Sequence, residues 1–503
     1  MSTRSRNRIL LAISLFLFIY SFTHNHQFPI RWTSSSRLFP SRQHDNDDAN
    51  TLRQQVPLAS LQSEFFTWSD PDSPPGPKPP SKPPAEPSPP IPDPFPLLSQ
   101  PDSLRKYRKY LQAVGENAPP KKHYPQKTPL LVGFTRNWPQ LLQCVVSYIA
   151  AGWPPEDIYV VENTGTMFSN REGKLGLQNP FYLNHTQLGM LGVNVIIVGN
   201  PLFLVTSPGT LSTQHPGMDS FCVRVGGNLH TPTLLTFAQL QNFYLWEALN
   251  RSWPTFFWTH QDLLVFSSED DEFSEPHYTL YDRAVSVLQF LLEPTSPKWA
   301  HHFFAYDHLT LVNTDALLSV GGWDTQIPFY ATDCDMYVRL MWAGFWQGES
   351  EIGIILDVAT VLDDIGALFR IPGIVASFQG DPNATTFDKE RIEKEGETHE
   401  RLVDIGRRME GMKYQDGENT WRNTWQLKQR GGQGEPFYRD AEGFEYATKM
   451  MIDLGRAVFA EKWGHRGCDI AKIGIKPEDA WRLERDWERD GEGGEEGYEG
   501  DGW

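Results

Sequence analysis

The sequence predicts an α/β fold built on a mostly parallel sheet flanked by helices. Three observations carry that expectation. Short apolar runs recur at residues 129–134, 158–161, 193–198 and 255–258. They are continuous rather than alternating, which is the pattern of strands covered on both faces. Segments with helical apolar spacing, 138–151 and 234–249, separate them, as a strand–helix–strand arrangement requires.

Taken in order, the chain opens with Arg4, Arg6 and Arg8 before an uncharged apolar run at 9–22. At about fourteen residues the run is short for a bilayer-spanning helix, which needs roughly 20. A cleaved signal peptide fits by length, but residues 21–26 offer no small-x-small cleavage site. Basic residues ahead of the run favour a cytosolic N-terminus with the remainder lumenal. The expectation is therefore a cytosolic tail and signal anchor over 1–26, giving a single-pass type II protein. Sequons at Asn184, Asn250 and Asn383 agree with a secretory compartment.

Residues 27–126 read as a disordered stem. Roughly half of residues 71–96 are proline, which denies a hydrogen-bonded ladder and favours extended polyproline segments. Such a stretch is a semi-rigid spacer. Order is expected from about residue 127 to 380. After that the chain turns polar and charged, giving a helical extension over 381–485, with its clearest helical piece at 444–463. The acidic, glycine-rich stretch 486–503 reads as a solvated tail.

The formal net charge is −18, the wrong sign for a phosphate-tracking surface, so no nucleic-acid partner is expected. The four cysteines, Cys144, Cys222, Cys334 and Cys468, contain no CxxC pair and so no structural zinc site. Disulfides and buried free thiols both remain open.

In sheets of this kind ligands bind outside the carboxyl ends of the strands, so the strand ends hold the candidate residues. The first strand ends in Thr135, Arg136 and Asn137, and the second in Glu162 and Asn163. Such polar turns can hold a nucleotide through base and ribose, and they equally serve as turn and helix-cap residues. The fourth strand runs into His260-Gln261-Asp262. If the strand continues, His260 and Asp262 point the same way. Their donors suit Mn²⁺, or Mg²⁺ through the carboxylate, which could neutralise a diphosphate leaving group; a structural hydrogen-bonded pair has the same spacing. Farther on, Gly321-Gly322-Trp323 is followed by Asp333 and Asp335 at the start of an amphipathic helix. Carboxylates there stay ionised against the helix dipole. One can act as a base on an attacking hydroxyl, or merely cap the helix.

The set of segments resembles the family-2-type glycosyltransferases of the GT-A fold. Thr135-Arg136-Asn137-Trp138-Pro139 with Leu141-Leu142 looks like their opening motif. Val160-Val161-Glu162-Asn163-Thr164-Gly165 looks like the second-strand turn that holds the nucleotide base. Gly321-Gly322-Trp323-Asp324, then Phe329-Tyr330, Asp333-Cys334-Asp335, Arg339-Leu340 and Gly344, looks like the acceptor-side motif. The resemblance implies a GT-A-like domain over 127–380 that moves a sugar from a nucleotide-sugar donor. The acceptor would be a hydroxyl of a glycan, glycoprotein or glycolipid, in the Golgi or ER lumen. It implies Asp333 as the catalytic base, Thr135, Arg136, Asn137, Glu162 and Asn163 on the donor, and Gly321, Gly322, Trp323 and Asp335 toward the acceptor. The family's usual Asp-x-Asp metal motif is here His260-x-Asp262, which would make Asp262 and His260 the metal residues, with Asp357 a further ligand. Inversion is expected; retention would give Asp333 another role. Two other readings stand beside this one: a non-catalytic carbohydrate-binding protein on a decayed transferase fold, and a secreted hydrolase with paired carboxylates such as Asp262 and Asp333.

Overall fold

A computed structural model describes residue 80 and residues 90–99, 108–112, 127–198, 234–269, 279–381, 389–413 and 441–488. The expected anchor, most of the stem, the acidic tail from 489 onward, the loop around 201–229 and Asn383 lie outside the described residues. Among the described residues, no helix is long and apolar enough to cross a membrane.

The chain folds in the order β1 (Leu130–Phe134), α1 (Trp138–Ala150), β2 (Ile158–Glu162), α2 (Met167–Arg171), α3 (His185–Leu191), β3 (Asn194–Ile197), α4 (Phe237–Asn250), β4 (Thr255–Thr259), β5 (Leu263–Phe266), α5 (Leu280–Leu291), β6 (Trp299–Phe304), β7 (Leu309–Asn313), α6 (Thr314–Ser319), α7 (Thr332–Trp342), β8 (Trp346–Glu349), β9 (Ile354–Asp357), α8 (Lys389–Glu395), α9 (His399–Lys413) and α10 (Ala441–Trp463). The main sheet has seven strands in the order β3-β2-β1-β4-β7-β6-β8. Strands β3, β2, β1 and β4 are mutually parallel. Strand β7 is antiparallel to both β4 and β6, and β8 runs parallel to β6. The expected mostly parallel sheet flanked by helices is therefore what forms. Its four sequence-read strands are β1 to β4.

Period-2 alternation explains how one sheet serves two cores. In β1, Leu130, Val132 and Phe134 face one apolar cluster with α1, α5 and α9. Leu131 between them faces the second cluster, with Phe256 and Trp258 of β4 and residues of α4, α6 and α7. Gly133 sits where α4 crosses closest: a Cβ there would meet the Tyr244 hydroxyl at 2.5 Å.

Two expectations change. The strand after residue 255 does not continue through His260 and Asp262. It stops at Thr259, turns at 261–262, and restarts as β5, which leaves the main sheet to pair antiparallel with β9. Residues 90–99, assigned to the stem, pack against the domain instead, with Phe95 and Leu98 in its core. Phe95 is fully buried with its ring 6.3 Å from that of Phe369, and the Ile91 amide donates to Gln178 Oε1 at 2.7 Å. Apolar side chains at Phe95 and Leu98 override the extended bias of the surrounding prolines. The helical extension after residue 380 packs back onto the sheet domain. Leu402, Val403, Ile405 and Met409 of α9 join the main core, while Phe459 and Trp463 of α10 pack on α7. All described residues fall in one compact unit, Pro74–Asp490.

Cys334 and Cys468 form a disulfide, joining the start of α7 to the segment after α10, and Cys144 is a buried free thiol. Of the sequons, Asn250 ends α4 exposed, whereas half-buried Asn184 caps α3 and donates to the Tyr182 hydroxyl.

Candidate active site

The carboxyl ends of the parallel strands gather the predicted polar residues at one edge of the sheet. Adjacent registers of β1 and β2 align Phe134 with Glu162, and the Asn163 amide donates to the Phe134 carbonyl at 2.7 Å. Thr135, Arg136, Asn137, Glu162 and Asn163 are thus brought together. Their side chains are largely engaged with the protein itself. The buried Glu162 carboxylate accepts from Asn170 at 2.8 Å and contacts His185 Nε2 at 2.9 Å. Asn163 makes a two-way pair with the Leu235 backbone, at 2.9 and 2.8 Å. The Arg136 guanidinium is buried beneath the Phe444 ring at 4.9 Å. Asn137 takes a left-handed conformation (φ 74°) at the start of α1 and donates to Gln140. These contacts are those of turn and cap residues; Thr135, half-buried, and the partly exposed His185 remain on the outer side.

The next strand end holds a charged cluster. The turn after β4 brings His260 Nδ1 to 3.9 Å from Asp262 Oδ1. Pairing of β5 with β9 sets Asp357 across from Leu263, next to Asp262. Asp357 was expected from the sequence as a possible companion of Asp262. Between the two carboxylates lies the Lys413 ammonium, the last residue of α9, bonded to Asp262 Oδ2 at 2.7 Å and to Asp357 Oδ1. His308 Nε2 stands 3.9 Å from Asp357, and His260 Nε2 stands 3.9 Å from Asp307.

The electrostatics follow from this arrangement. Burial would raise Asp262, but the Lys413 ammonium and the neighbouring His260 outweigh it and hold the carboxyl below its ordinary range. Asp357 moves the other way, because burial and the nearby Asp262 charge exceed what one ammonium can offset. Lys413 loses by burial and gains more from its two carboxylates, so it stays protonated. Burial lowers His260, keeping its imidazole neutral near pH 7.

Asp262 and His260 are close together, but the donor set does not fit a divalent ion as arranged. A metal would have to occupy the position of the Lys413 ammonium between the same carboxylate oxygens. Among the described residues, no group of three or more His, Cys, Asp or Glu side chains is placed to hold one. The expectation of a metal at Asp262 and His260 is corrected accordingly. Lys413 gave no signal in the sequence, since it lies about 150 positions from its partner Asp262.

Asp333 occupies the first turn of α7, entered through Ala331 in a left-handed conformation (φ 70°). It is half-buried and accepts a hydrogen bond from the Tyr306 hydroxyl at 3.1 Å. Burial, then the charge of Asp307, raises its carboxyl to about 6; the Cys334 amide and the Tyr306 hydroxyl partly counter this. Tyr306 and Asp307 belong to a 3-10 turn, Tyr306–His308, between β6 and β7. That turn holds two consecutive non-glycine residues at positive φ, Ala305 (59°) and Tyr306 (55°). Backbone strain of this kind costs about 1–3 kcal/mol per residue and clusters at functional sites. Asp307 is itself raised by burial. Its charge acts on Asp333 on one side and on the Asp262–Asp357 pair on the other. Tyr306, Asp307 and His308 were not read from the sequence. The available signal was a polar, charged interruption between two apolar strands.

The acceptor-side residues divide. Gly321 and Gly322 adopt positive φ (80° and 73°), and a Cβ on Gly322 would meet Asn242 Oδ1 at 2.5 Å. Asn242 in turn bonds both polar groups of the Trp323 backbone at 2.8 Å. The Trp323 ring packs edge-on against Phe237 and Tyr337. Its Nε1 and the Tyr337 hydroxyl are buried and reach no hydrogen-bond partner among the described residues. Asp335, by contrast, points into the protein interior. Fully buried, it accepts from Lys462 at 2.7 Å, Trp463 Nε1 at 3.1 Å and Arg339 Nε at 2.7 Å. Helical spacing explains the split: two positions along α7 rotate a side chain about 200° from Asp333, toward α10.

No family model matches the chain, and no curated protein matches it. Among solved structures, the chain is similar to the mannosyltransferase PcManGT from Pyrobaculum calidifontis, solved with GDP-Man and Mn²⁺, at 12% identity and a TM-score of 0.25. The match covers 49% of this chain and 61% of that one.

Proposed function

We propose that this chain is a glycosyltransferase that moves a sugar from a nucleotide-sugar donor to a hydroxyl of a glycan, glycoprotein or glycolipid, with inversion. The observation that carries the reading is Asp333. Its carboxyl is raised to about 6, still ionised at neutral pH and more basic than an ordinary aspartate. It sits at the helix start, hydrogen-bonded to the hydroxyl of the exposed Tyr306 and within the field of Asp307, which links it to the strand-end cluster. In the proposed reaction Asp333 takes the proton of the acceptor hydroxyl. That oxygen bonds to the anomeric carbon as the bond from that carbon to the diphosphate oxygen breaks. Catalysis rests on the order of the residues along the sheet edge: donor turns at β1 and β2, the charged cluster at β4, and the base at α7. We further place the protein as a single-pass type II protein of the Golgi or ER with its catalytic unit lumenal. The Cys334–Cys468 disulfide supports an oxidising compartment.

The hydrolase reading loses its second carboxylate, because Asp262 is bound to Lys413. The carbohydrate-binding reading remains the rival, favoured by the same lysine. A thermal-shift screen of the full chain against nucleotide diphosphates separates them, since a native-state ligand raises the melting temperature by mass action. One nucleotide should shift the wild type and Asp333→Asn alike, while only the wild type turns over the matching nucleotide sugar. Turnover by Asp333→Asn at the wild-type rate refutes the base assignment; no shift with any nucleotide refutes the transferase reading.

A further inference from the structure

The Lys413 ammonium lies where a transferase of this arrangement would need its cation. We infer that Lys413 replaces a divalent metal in this protein, so that the donor site is built to work without one. The inference rests on the transferase reading for its functional half, and on geometry alone for its metal-binding half.

The geometry is specific. Lys413 is almost fully buried, with a side-chain exposure of 1%, and bonds to Asp262 and Asp357 together. Both carboxylates come from the β5–β9 pair, whose register also joins the Val358 amide to the Asp262 carbonyl at 2.9 Å. The lysine is carried in by a helix whose other residues are rooted in the core: Leu402, Val403, Ile405 and Met409 of α9. One turn before it, Glu410 accepts from the Asp357 amide at 3.1 Å, a second tie between α9 and the carboxylate strand. Two carboxylates side by side demand a cation. A divalent ion would leave His260 and His308 as further donors, each about a third exposed at 31% and 30%. The fold supplies instead a tethered monovalent cation, whose effective concentration is fixed by the chain.

Removing the ammonium should turn this site into a metal site. In Lys413→Ala, Asp262 and Asp357 would lose their shared ammonium, and rotation of these side chains with the two imidazoles 3.9 Å from them would let the four close on Mn²⁺. The test is titration of Mn²⁺ alone into the full-length protein, followed by the amplitude of the free-ion EPR signal. The wild type should leave that signal undiminished, while Lys413→Ala should take up one Mn²⁺ per chain and melt at a higher temperature with it. Adding Asp262→Asn to Lys413→Ala should abolish the uptake. Should Lys413→Ala not fold, Lys413→Met keeps the stem of the side chain and is read in the same way. Stoichiometric Mn²⁺ uptake by the wild type, lost in Asp262→Asn, overturns the inference. So does a folded Lys413 variant that takes up no Mn²⁺.

A nucleotide arm keeps the two levels apart. If Lys413 replaces the metal, the nucleotide diphosphate that shifts the melting temperature should do so equally in EDTA and in Mn²⁺. A shift that requires Mn²⁺ overturns the lysine inference and leaves the transferase reading intact. No shift with any nucleotide, with Mn²⁺ uptake confined to the Lys413 variant, sinks the transferase reading and keeps the lysine-for-metal substitution.

Discussion

Replacing Asp335 with alanine is expected to damage the fold rather than the chemistry. The carboxylate is fully buried and holds three donors: Lys462, Trp463 Nε1 and Arg339. Arg339 keeps its bonds to the Val320 and Gly322 carbonyls, at 2.9 and 2.8 Å, and so stays satisfied. Lys462 keeps Asp324 at 2.7 Å, but that side chain is 23% exposed and compensates the ammonium less well. Breaking one partner out of a buried ion pair costs about 3–5 kcal/mol. The orphaned indole N–H adds to this, at about 1 kcal/mol. For a folded unit of this size each kcal/mol moves the midpoint by about 2 °C, so thermal unfolding should shift down by about 8–12 °C. Asp335→Asn, which keeps an acceptor oxygen for Trp463 Nε1, should lose less than Asp335→Ala. The assay is a melting curve together with turnover at a temperature where both proteins are folded. A midpoint within about 2 °C of wild type, combined with lost turnover, would refute the reasoning and return Asp335 to the acceptor.

Other outcomes follow from the same geometry. With Asp333 titrating at about 6, activity should climb as pH rises through that value and level off above it. Because the folded carboxyl is raised above its unfolded value, its contribution to stability is full below pH 4 and is lost as pH passes 6. Asp333→Asn should therefore be inactive yet more stable than wild type at pH 7, by about 1–2 kcal/mol after solvent screening, in a chemical-unfolding comparison. Tyr306→Phe removes a hydrogen bond that favours the ionised Asp333, so the rising limb of its pH–rate profile should move to higher pH. Cys334→Ser or Cys468→Ser opens a link between positions 134 apart and should cost about 2–4 kcal/mol, read as a lower melting temperature that matches reduced wild type.

The parallel half of the sheet was legible because β1, β2 and β4 are buried on both faces and read as unbroken apolar runs, and the edge strand β3 keeps an apolar run though it is only partly covered. Asp333 was legible as an acidic residue at a helix start. What escaped were partners supplied from afar. Lys413 and Lys462 are single lysines in a charged stretch, indistinguishable by composition from solvated ones until α9 and α10 are docked. The buried partners of Asp335 were not legible because a motif spaces residues along the chain, whereas a helix distributes them around an axis. The turn at Tyr306–His308 escaped because its strained backbone gives no glycine or proline signal. The core role of Phe95 was hidden by the prolines around it.

The staple between α7 and the segment after α10 bears on the order in which the protein becomes competent. A ribosome releases the Asp333 helix long before it makes Lys462, Trp463 and Cys468, all of which fasten that helix. Until then Asp333 has its own turn but lacks the contacts that hold its helix in place. Fastening of α7 thus waits on residues made much later and on oxidation of two thiols. A chain cut short before residue 460 would carry every strand-end motif and still lack the ties that fix α7.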